Sequence, residues 1–244
     1  MRPLSATELL DAWERGLAEE PPARALTLLA ASTGAARAEL ARLPVGESDR
    51  RLLDLREQTF GPRLEAVAPC PRCGELLEMA FDVGDVRVGP DEARASETHA
   101  LAAGGYEVTF RAPTGLDLVA VAPAADAEAA RRELFRRCLV AARRDGAEAA
   151  AESLPEEVVA RVVEAMAQAD PQADVELALN CPACGHAWGA ALDINSFFWN
   201  EINAWAARTL AEVHALARAY GWTEREILSL SAWRRQFYLQ MVAG

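Results

Sequence analysis

The sequence contains no lysine. All 25 basic residues are arginine, and 37 acidic side chains outnumber them, leaving a formal charge of -12 over 244 residues. The arginine-only pattern, together with abundant alanine, reflects base composition and carries no information on activity. The charge is more informative. Binding to phosphate backbones depends on clustered positive charge and counterion release, so an acidic surface of this kind points to protein partners and away from nucleic acid.

Histidine is also scarce, with three copies. His99 falls in a polar loop, His186 beside a cysteine motif and His214 on a helix, and none has a neighbouring base. The chain lacks a phosphate-binding loop, an H-E-x-x-H helix and a nucleophile elbow, so no enzymatic activity is expected. Paired acids such as Glu156-Glu157 stand where a helix begins, and there they complement its dipole. No run of eighteen uncharged apolar residues occurs, and Met1-Arg2-Pro3-Leu4-Ser5 lacks the apolar core of a signal peptide. With 51% apolar residues the chain can bury a substantial core. A globular, cytoplasmic protein with no membrane span is the expectation.

What is present is a repeated cysteine motif. Ala68-Pro69-Cys70-Pro71-Arg72-Cys73-Gly74 and Leu179-Asn180-Cys181-Pro182-Ala183-Cys184-Gly185 share both cysteines, the proline between them and the glycine after them. Phe81-Asp82-Val83 follows the first at the same distance as Leu192-Asp193-Ile194 follows the second, so each copy is a supersecondary unit. Period-two alternation at Leu77, Met79, Phe81 and Val83, and at Trp188, Ala190, Leu192 and Ile194, makes each unit a strand, a knuckle and a strand. Proline fixes φ after the first thiol, and glycine past the second accepts a positive φ.

In reducing cytoplasm, paired C-x-x-C motifs favour metal over disulfide. Cys70, Cys73, Cys181 and Cys184 offer four thiolates with no open position, the structural form of a zinc site, and one Zn²⁺ is expected. A redox dithiol would need one motif only, and an iron–sulfur cluster uses C-P-x-C-G knuckles less often. His186 is surplus to a filled shell and reads as an exposed strand residue. The fifth cysteine, Cys138, lies at helical spacing among apolar and arginine residues and reads as a small buried hydrophobe. Because the knuckles stand about one hundred residues apart, metal and fold should be coupled.

The flanking segments read mainly as helix. Ser5-Ala6-Thr7-Glu8 forms a capping box stapled by Leu4 and Leu9, opening a helix that buries Leu9, Leu10 and Trp13. Further helices are expected over 22–31, 35–43 and 49–60, stopped by Gly61. Between the knuckles come a polar loop over 84–95, a strand at Tyr106-Glu107-Val108-Thr109-Phe110, and helices over 126–143 and 155–166, the latter behind a capping box at Ser153-Leu154-Pro155-Glu156. After Ile194 a helix runs to Tyr220 with Phe198, Ile202, Trp205, Leu210, Val213 and Ala217 near one stripe. Trp222 and Ile227 bracket a second capping box, Thr223-Glu224-Arg225-Glu226, from which another helix should run to about Val242. The hairpin resembles a helix-turn-helix, with Arg225, Arg234 and Arg235 available, but the acidic chain argues against DNA.

The expected fold is therefore α+β: mainly helical, with a split four-cysteine zinc ribbon of two β-hairpins, an inserted strand/helix lobe and a C-terminal helical hairpin. Its regions are 1–61 (N-terminal helices), 62–86 (first ribbon hairpin), 87–172 (insert), 173–194 (second ribbon hairpin) and 195–244 (aromatic hairpin). Most of the aromatic stripe is expected to pack on the ribbon and the N-terminal helices; for the remainder Phe198, Trp199, Trp205, Trp222 and Trp233 are the candidate partner-binding residues, since this is more aromatic surface than a small hairpin buries.

Asp193-Ile194-Asn195-Ser196-Phe197-Phe198-Trp199-Asn200-Glu201-Ile202, the run Glu212 to Trp222 and Glu226-Ile227-Leu228-Ser229-Leu230 resemble the T4-type baseplate hub assembly chaperones and their relatives encoded with contractile phage tails and injection systems. Trp13-Glu14-Arg15-Gly16 and Leu52-Leu53-Asp54-Leu55-Arg56-Glu57 add to the likeness. The resemblance implies a non-catalytic assembly factor that holds hub or spike components, while the zinc ribbon and its long insert depart from the compact phage versions. A zinc-ribbon adaptor acting near transcription is the alternative, and it predicts salt-sensitive nucleic-acid binding.

Overall fold

The computed structural model describes residues 1–88 and 98–243. Helix α1 (Ala6–Gly16) opens with the expected box: the Ser5 hydroxyl accepts the Glu8 amide, and the Glu8 carboxylate accepts the Ser5 amide at 2.9 Å. Leu9 and Leu10 are buried, and the half-buried Trp13 donates its indole N–H to Asn203 Oδ1 at 3.0 Å. Helix α2 (Pro21–Thr33) ends at Gly34. The helix expected over 35–43 shrinks to one turn, α3 (Arg37–Leu40), followed by turns that lead into Pro44.

Helix α4 (Val45–Phe60) begins four residues before its expected start. A distant side chain supplies the reason. Asp170 Oδ2 accepts the Gly46 amide at 2.9 Å and satisfies a free N–H of the first turn. Position 46 is glycine because a Cβ there would collide with the same carboxylate.

The first hairpin pairs β1 (Arg63–Pro69) with β2 (Leu76–Asp82), Leu64 opposite Phe81. A single turn, α5 (Val83–Val86), replaces the start of the loop expected over 84–95, whose residues beyond 88 lie outside the described ones. Strands β3 (Thr98–Ala103) and β4 (Tyr106–Arg111) come next, then α6 (Gly115–Val121) and α7 (Ala127–Cys138). Strands β5 (Leu139–Arg144) and β6 (Ala147–Glu148) complete an antiparallel sheet of order β3-β4-β5-β6. The helix expected to reach 143 thus stops at Cys138. Residues 139–144 turn extended to pair with β4, Val108 facing Ala142 and Tyr106 facing Arg144.

His99 sits on β3 and not in a loop, stacked on Phe110 with ring centres 5.5 Å apart. Helix α8 (Glu156–Ala169) starts behind Pro155 without the expected box, since Ser153 Oγ donates to the Ala150 carbonyl at 2.7 Å. The second hairpin pairs β7 (Glu176–Asn180) with β8 (Ala187–Ala191).

Helix α9 (Ile194–Tyr220) is capped by Asp193 and ends at Gly221 in the left-handed region, φ 69°. Its buried positions are Ile194, Phe198, Trp199, Ile202, Ala206, Thr209, Val213 and Leu216, so beyond Ile202 the stripe turns away from Trp205, Leu210 and Ala217. Thr223 and Glu226 cap α10 (Glu224–Ser229) as expected, but the helix does not continue to 242. Leu230 is extended, and the Ser231 hydroxyl accepts the Arg234 amide to start α11 (Ala232–Ala243). Arg235, 5% exposed, holds the break by donating to Glu212 at 3.0 Å and to the Leu230 carbonyl at 2.8 Å.

The fold is α+β and mainly helical. Its first core gathers Leu9, Leu28, Leu29, Leu52, Leu53, Leu64, Val83 and Val86 around Phe198 and Ile202 of α9. A second core, built on Val108, Phe110, Cys138, Val158 and Val162, uses only residues between 101 and 166. A third packs Leu10, Val213 and Leu216 on Ile227 and Leu228. Polar groups join the first two: Gln172 accepts the Val88 amide at 2.7 Å and donates to the Val86 carbonyl at 3.2 Å, beside the Asp170–Gly46 contact.

Candidate metal centre

Both knuckles fold by the same hydrogen bonds. The Cys70 amide donates to the Glu75 carbonyl at 2.8 Å and the Gly74 amide to the Cys70 carbonyl at 2.9 Å. In the second copy Cys181 donates to His186 at 2.8 Å and Gly185 to Cys181 at 2.9 Å. Gly74 and Gly185 sit at φ 77° and 69°, where a side chain would be strained.

The two copies meet through sulfur. Cys70 Sγ lies 3.7 Å from Cys184 Sγ and Cys73 Sγ 3.6 Å from Cys181 Sγ, and all four sulfurs fall within 4.8 Å of one another. A tetrahedron with Zn–S bonds of about 2.3 Å has edges of about 3.8 Å, so the cage has the size of one four-coordinate ion. It is too wide for disulfides, whose sulfurs stand about 2.05 Å apart. An iron–sulfur cluster places several irons and inorganic sulfides between its cysteines and needs a larger cage. The four cysteines could therefore hold one metal ion.

Thiol chemistry points the same way. Burial opposes ionisation of Cys70, yet the amides of Cys73 and Arg72 bring its thiol down to about 7. At Cys184 the His186 amide favours the thiolate, but burial and hydrogen bonding with the other three cysteines push it up to about 12. One negative charge is welcome in the cage and further ones are not, unless a cation joins them.

His186 stays outside the sulfur group. It is half-buried, not exposed, and stacks on Trp188 at 5.9 Å. Cys138 is fully buried in the second core, where burial raises its thiol to about 11.

The five aromatic candidates do not form one surface. Phe198 is fully enclosed and meets Phe60 edge-on at 6.0 Å. Trp199, 6% exposed, packs against Gly16 with the Arg24 guanidinium 4.9 Å from its ring. Both belong to the core, because α9 is wrapped by the N-terminal helices. Trp205 bridges the first and third cores, and Trp222 is half-buried between Tyr220 and Tyr238. Trp233 alone is open, 76% exposed and stacked on Phe237. The sequence reading missed its companions: Phe237 and Met241 follow at intervals of four on α11 and are exposed, a spacing legible once the helix is drawn.

Residues 23–199 match the family described as T4 bacteriophage base plate protein. The chain belongs to that family. The match takes in both knuckles and everything between them, and it stops at Trp199, where most of the residues that carried the sequence resemblance begin. No curated protein and no solved structure shows a significant match to the chain. As a baseplate protein it has other proteins of the assembly for partners. Among the described residues, no helix is long and apolar enough to cross a membrane.

Proposed function

We propose that this baseplate protein is a zinc-stabilised, non-catalytic assembly chaperone or minor component of a contractile phage tail or phage-derived injection system, with hub or spike proteins as its clients. The reading is carried by the exposed stripe of Trp233, Phe237 and Met241 on the last helix of a baseplate-family chain. Stacked aromatic side chains left in water lose apolar burial that a partner helix or strand would restore. Cys70, Cys73, Cys181 and Cys184 are the proposed zinc ligands. Four thiolates leave the ion no open position for substrate, so the metal works as scaffold. On this reading the protein acts in the cytoplasm during assembly.

The test is capture of purified hub, spike and tube proteins encoded beside the chain, with zinc measured in the same samples. Trp233→Ala combined with Phe237→Ala should weaken capture of one of them by roughly tenfold or more, as loss of an aromatic anchor does. Zinc should stay at about one ion per chain, since α11 contributes none of the four cysteines. If the unaltered protein retains none of those components, the reading is wrong.

A further inference from the structure

Strand β3 forms one edge of the insert's sheet, and its outward side is open. Gly104 and Gly105, at φ 57° and 80°, make a two-residue turn that sets Ala103 opposite Tyr106. Residues flanking such a turn exchange backbone hydrogen bonds, and bonded and unbonded pairs then alternate along the antiparallel ladder. His99, Leu101 and Ala103 therefore turn their amides and carbonyls to β4. Thr98, Ala100 and Ala102 turn theirs away from it, and among the described residues these groups have no hydrogen-bond partner. Their side chains are exposed, on the face opposite the one where Leu101 and Ala103 join the second core.

Proteins guard such edges against pairing with charge, proline or brevity. Strand β6, at the other end of the sheet, is two residues long, and exposed positions of β1 and β2 carry Arg63, Glu65, Glu78 and Asp82. In β3 those devices are missing: Thr98-His99-Ala100-Leu101-Ala102-Ala103 has no proline, no carboxylate and no arginine.

We propose that β3 is the contact of a two-fold dimer, pairing antiparallel with β3 of a second copy so that the two sheets become one. Setting Ala100 opposite its own counterpart is the register in which every open position finds a partner, Thr98 bonding to Ala102 of the second copy. Three features select a copy of this chain over a foreign strand. The side chains of Thr98, Ala100 and Ala102 are too short to build the pockets by which a foreign strand is recognised, whereas a two-fold contact needs only self-complementarity. In this register Glu107, beside Ala102, shares a cross-strand row with Arg111 of the second copy, beside its Thr98, so opposite charges line up twice. Finally, α8 lies against β3 and β4. With strands about 4.8 Å apart, the two-fold brings the two α8 axes to about 10 Å, an ordinary packing distance. Val159 and Val163 face the cavity shared with α7, so the flanks that meet carry Arg161 and Glu164, which the two-fold sets against each other with opposite charge. The contact includes neither the metal cage nor α11, so it stands or falls independently of the function proposed above.

The test is sedimentation equilibrium of the zinc-loaded full chain from micromolar to submillimolar concentration, with amide hydrogen exchange followed by NMR. The parent should pass from monomer to dimer, and the Ala100 and Ala102 amides should gain protection as it does, while those of Leu101 and Ala103 are protected throughout. Ala100→Pro takes away an outward donor and no bond to β4. It should weaken the dimer roughly tenfold or more while Val108 and Phe110 keep their protection. Ala100→Glu and Ala100→Arg each set like charges face to face across the two-fold, so each alone should be monomeric and their mixture should dimerise. Trp233→Ala combined with Phe237→Ala should leave the dimer unchanged. The proposal is overturned if the parent stays monomeric, if Ala100→Pro dimerises as well as the parent, or if mixing the charged variants restores nothing. It is equally overturned if the α11 variant loses the dimer, or if the Ala100 and Ala102 amides gain protection only when a purified hub, spike or tube protein is added.

Discussion

The second core is assembled from residues between 101 and 166, whereas the first draws on positions from Leu9 to Ile202. In the second, β3, β4 and β5 are sequence neighbours paired antiparallel, with α8 laid against β3 and β4. Contacts of that kind form early and need little chain ordering beforehand. The first core closes only when α9 packs on α4, and Arg56 binds Glu201 across 145 positions at 2.6 and 2.9 Å. The four-cysteine cage stands beside this long-range closure. A crosslink is worth most where the loop it closes is longest.

Removing the proposed zinc should separate the two regions most strongly. All six tryptophans, from Trp13 to Trp233, lie outside the insert, and Trp13, Trp199, Trp205 and Trp222 pack in the first and third cores, so a change in their emission reports those cores and not the second. A strong chelator, or Cys73→Ser, should shift that emission to the red while amides of Val108 and Phe110 keep their protection from hydrogen exchange. Closing a loop of about one hundred residues is worth about 4–5 kcal/mol, and the urea midpoint of the tryptophan signal should fall accordingly. Unchanged emission without metal would mean that the first core needs no clamp.

A second prediction concerns Asp117, 1% exposed on α6. It accepts Arg111 at 2.6 and 3.0 Å, Arg137 at 3.0 Å, and the amide and hydroxyl of Thr114 at 2.9 and 2.7 Å. Burial disfavours its charge, but the bonds from Arg111 and Thr114 hold its carboxyl well below the usual range. Asp117→Asn should cost about 3 kcal/mol, since it breaks a buried pair and leaves its partners unmatched. A depressed pKa adds stability that is present above the unfolded value near 4 and is lost as pH falls further, so the parent should weaken below about pH 4 and the variant less so. Equal acid sensitivity in the two proteins would contradict this.

The smallest effect is expected at Asp49, where the sign reverses. Its carboxyl is raised to about 7, so between about pH 4 and pH 7 the unfolded chain ionises while the folded one resists. Stability should decline across that window by about 1–2 kcal/mol, after allowing for the solvent that reaches the half-buried Asp49. Asp49→Asn should flatten the slope in urea titrations at each pH. A slope identical to the parent's would remove Asp49 as its source.

How much could be read from the sequence follows the same division. The knuckles were legible because every device in them spans seven residues, from Cys70 to Gly74 and on to Leu76. The capping boxes at Ser5 and Thr223 were legible for the same reason. The segment 126–143 misled because Leu134, Cys138 and their neighbours keep helical spacing up to the point where β4 claims residues 139–144. No local pattern announces that pairing. The early start of α4 depends on Asp170, 124 positions away. Phe198 was legible as a member of the apolar stripe, whereas Trp199 lies beside that stripe and is buried because the N-terminal helices reach around α9 to cover it.

Two matched half-sites also impose an order of events during synthesis. The first pair of thiols emerges 108 positions before Cys181, at about 5–20 residues per second, and so waits about 5–20 s for its complement. Throughout that interval Cys70 and Cys73 form an uncapped dithiol, open to oxidants and to any thiophilic ion that reaches the nascent chain first.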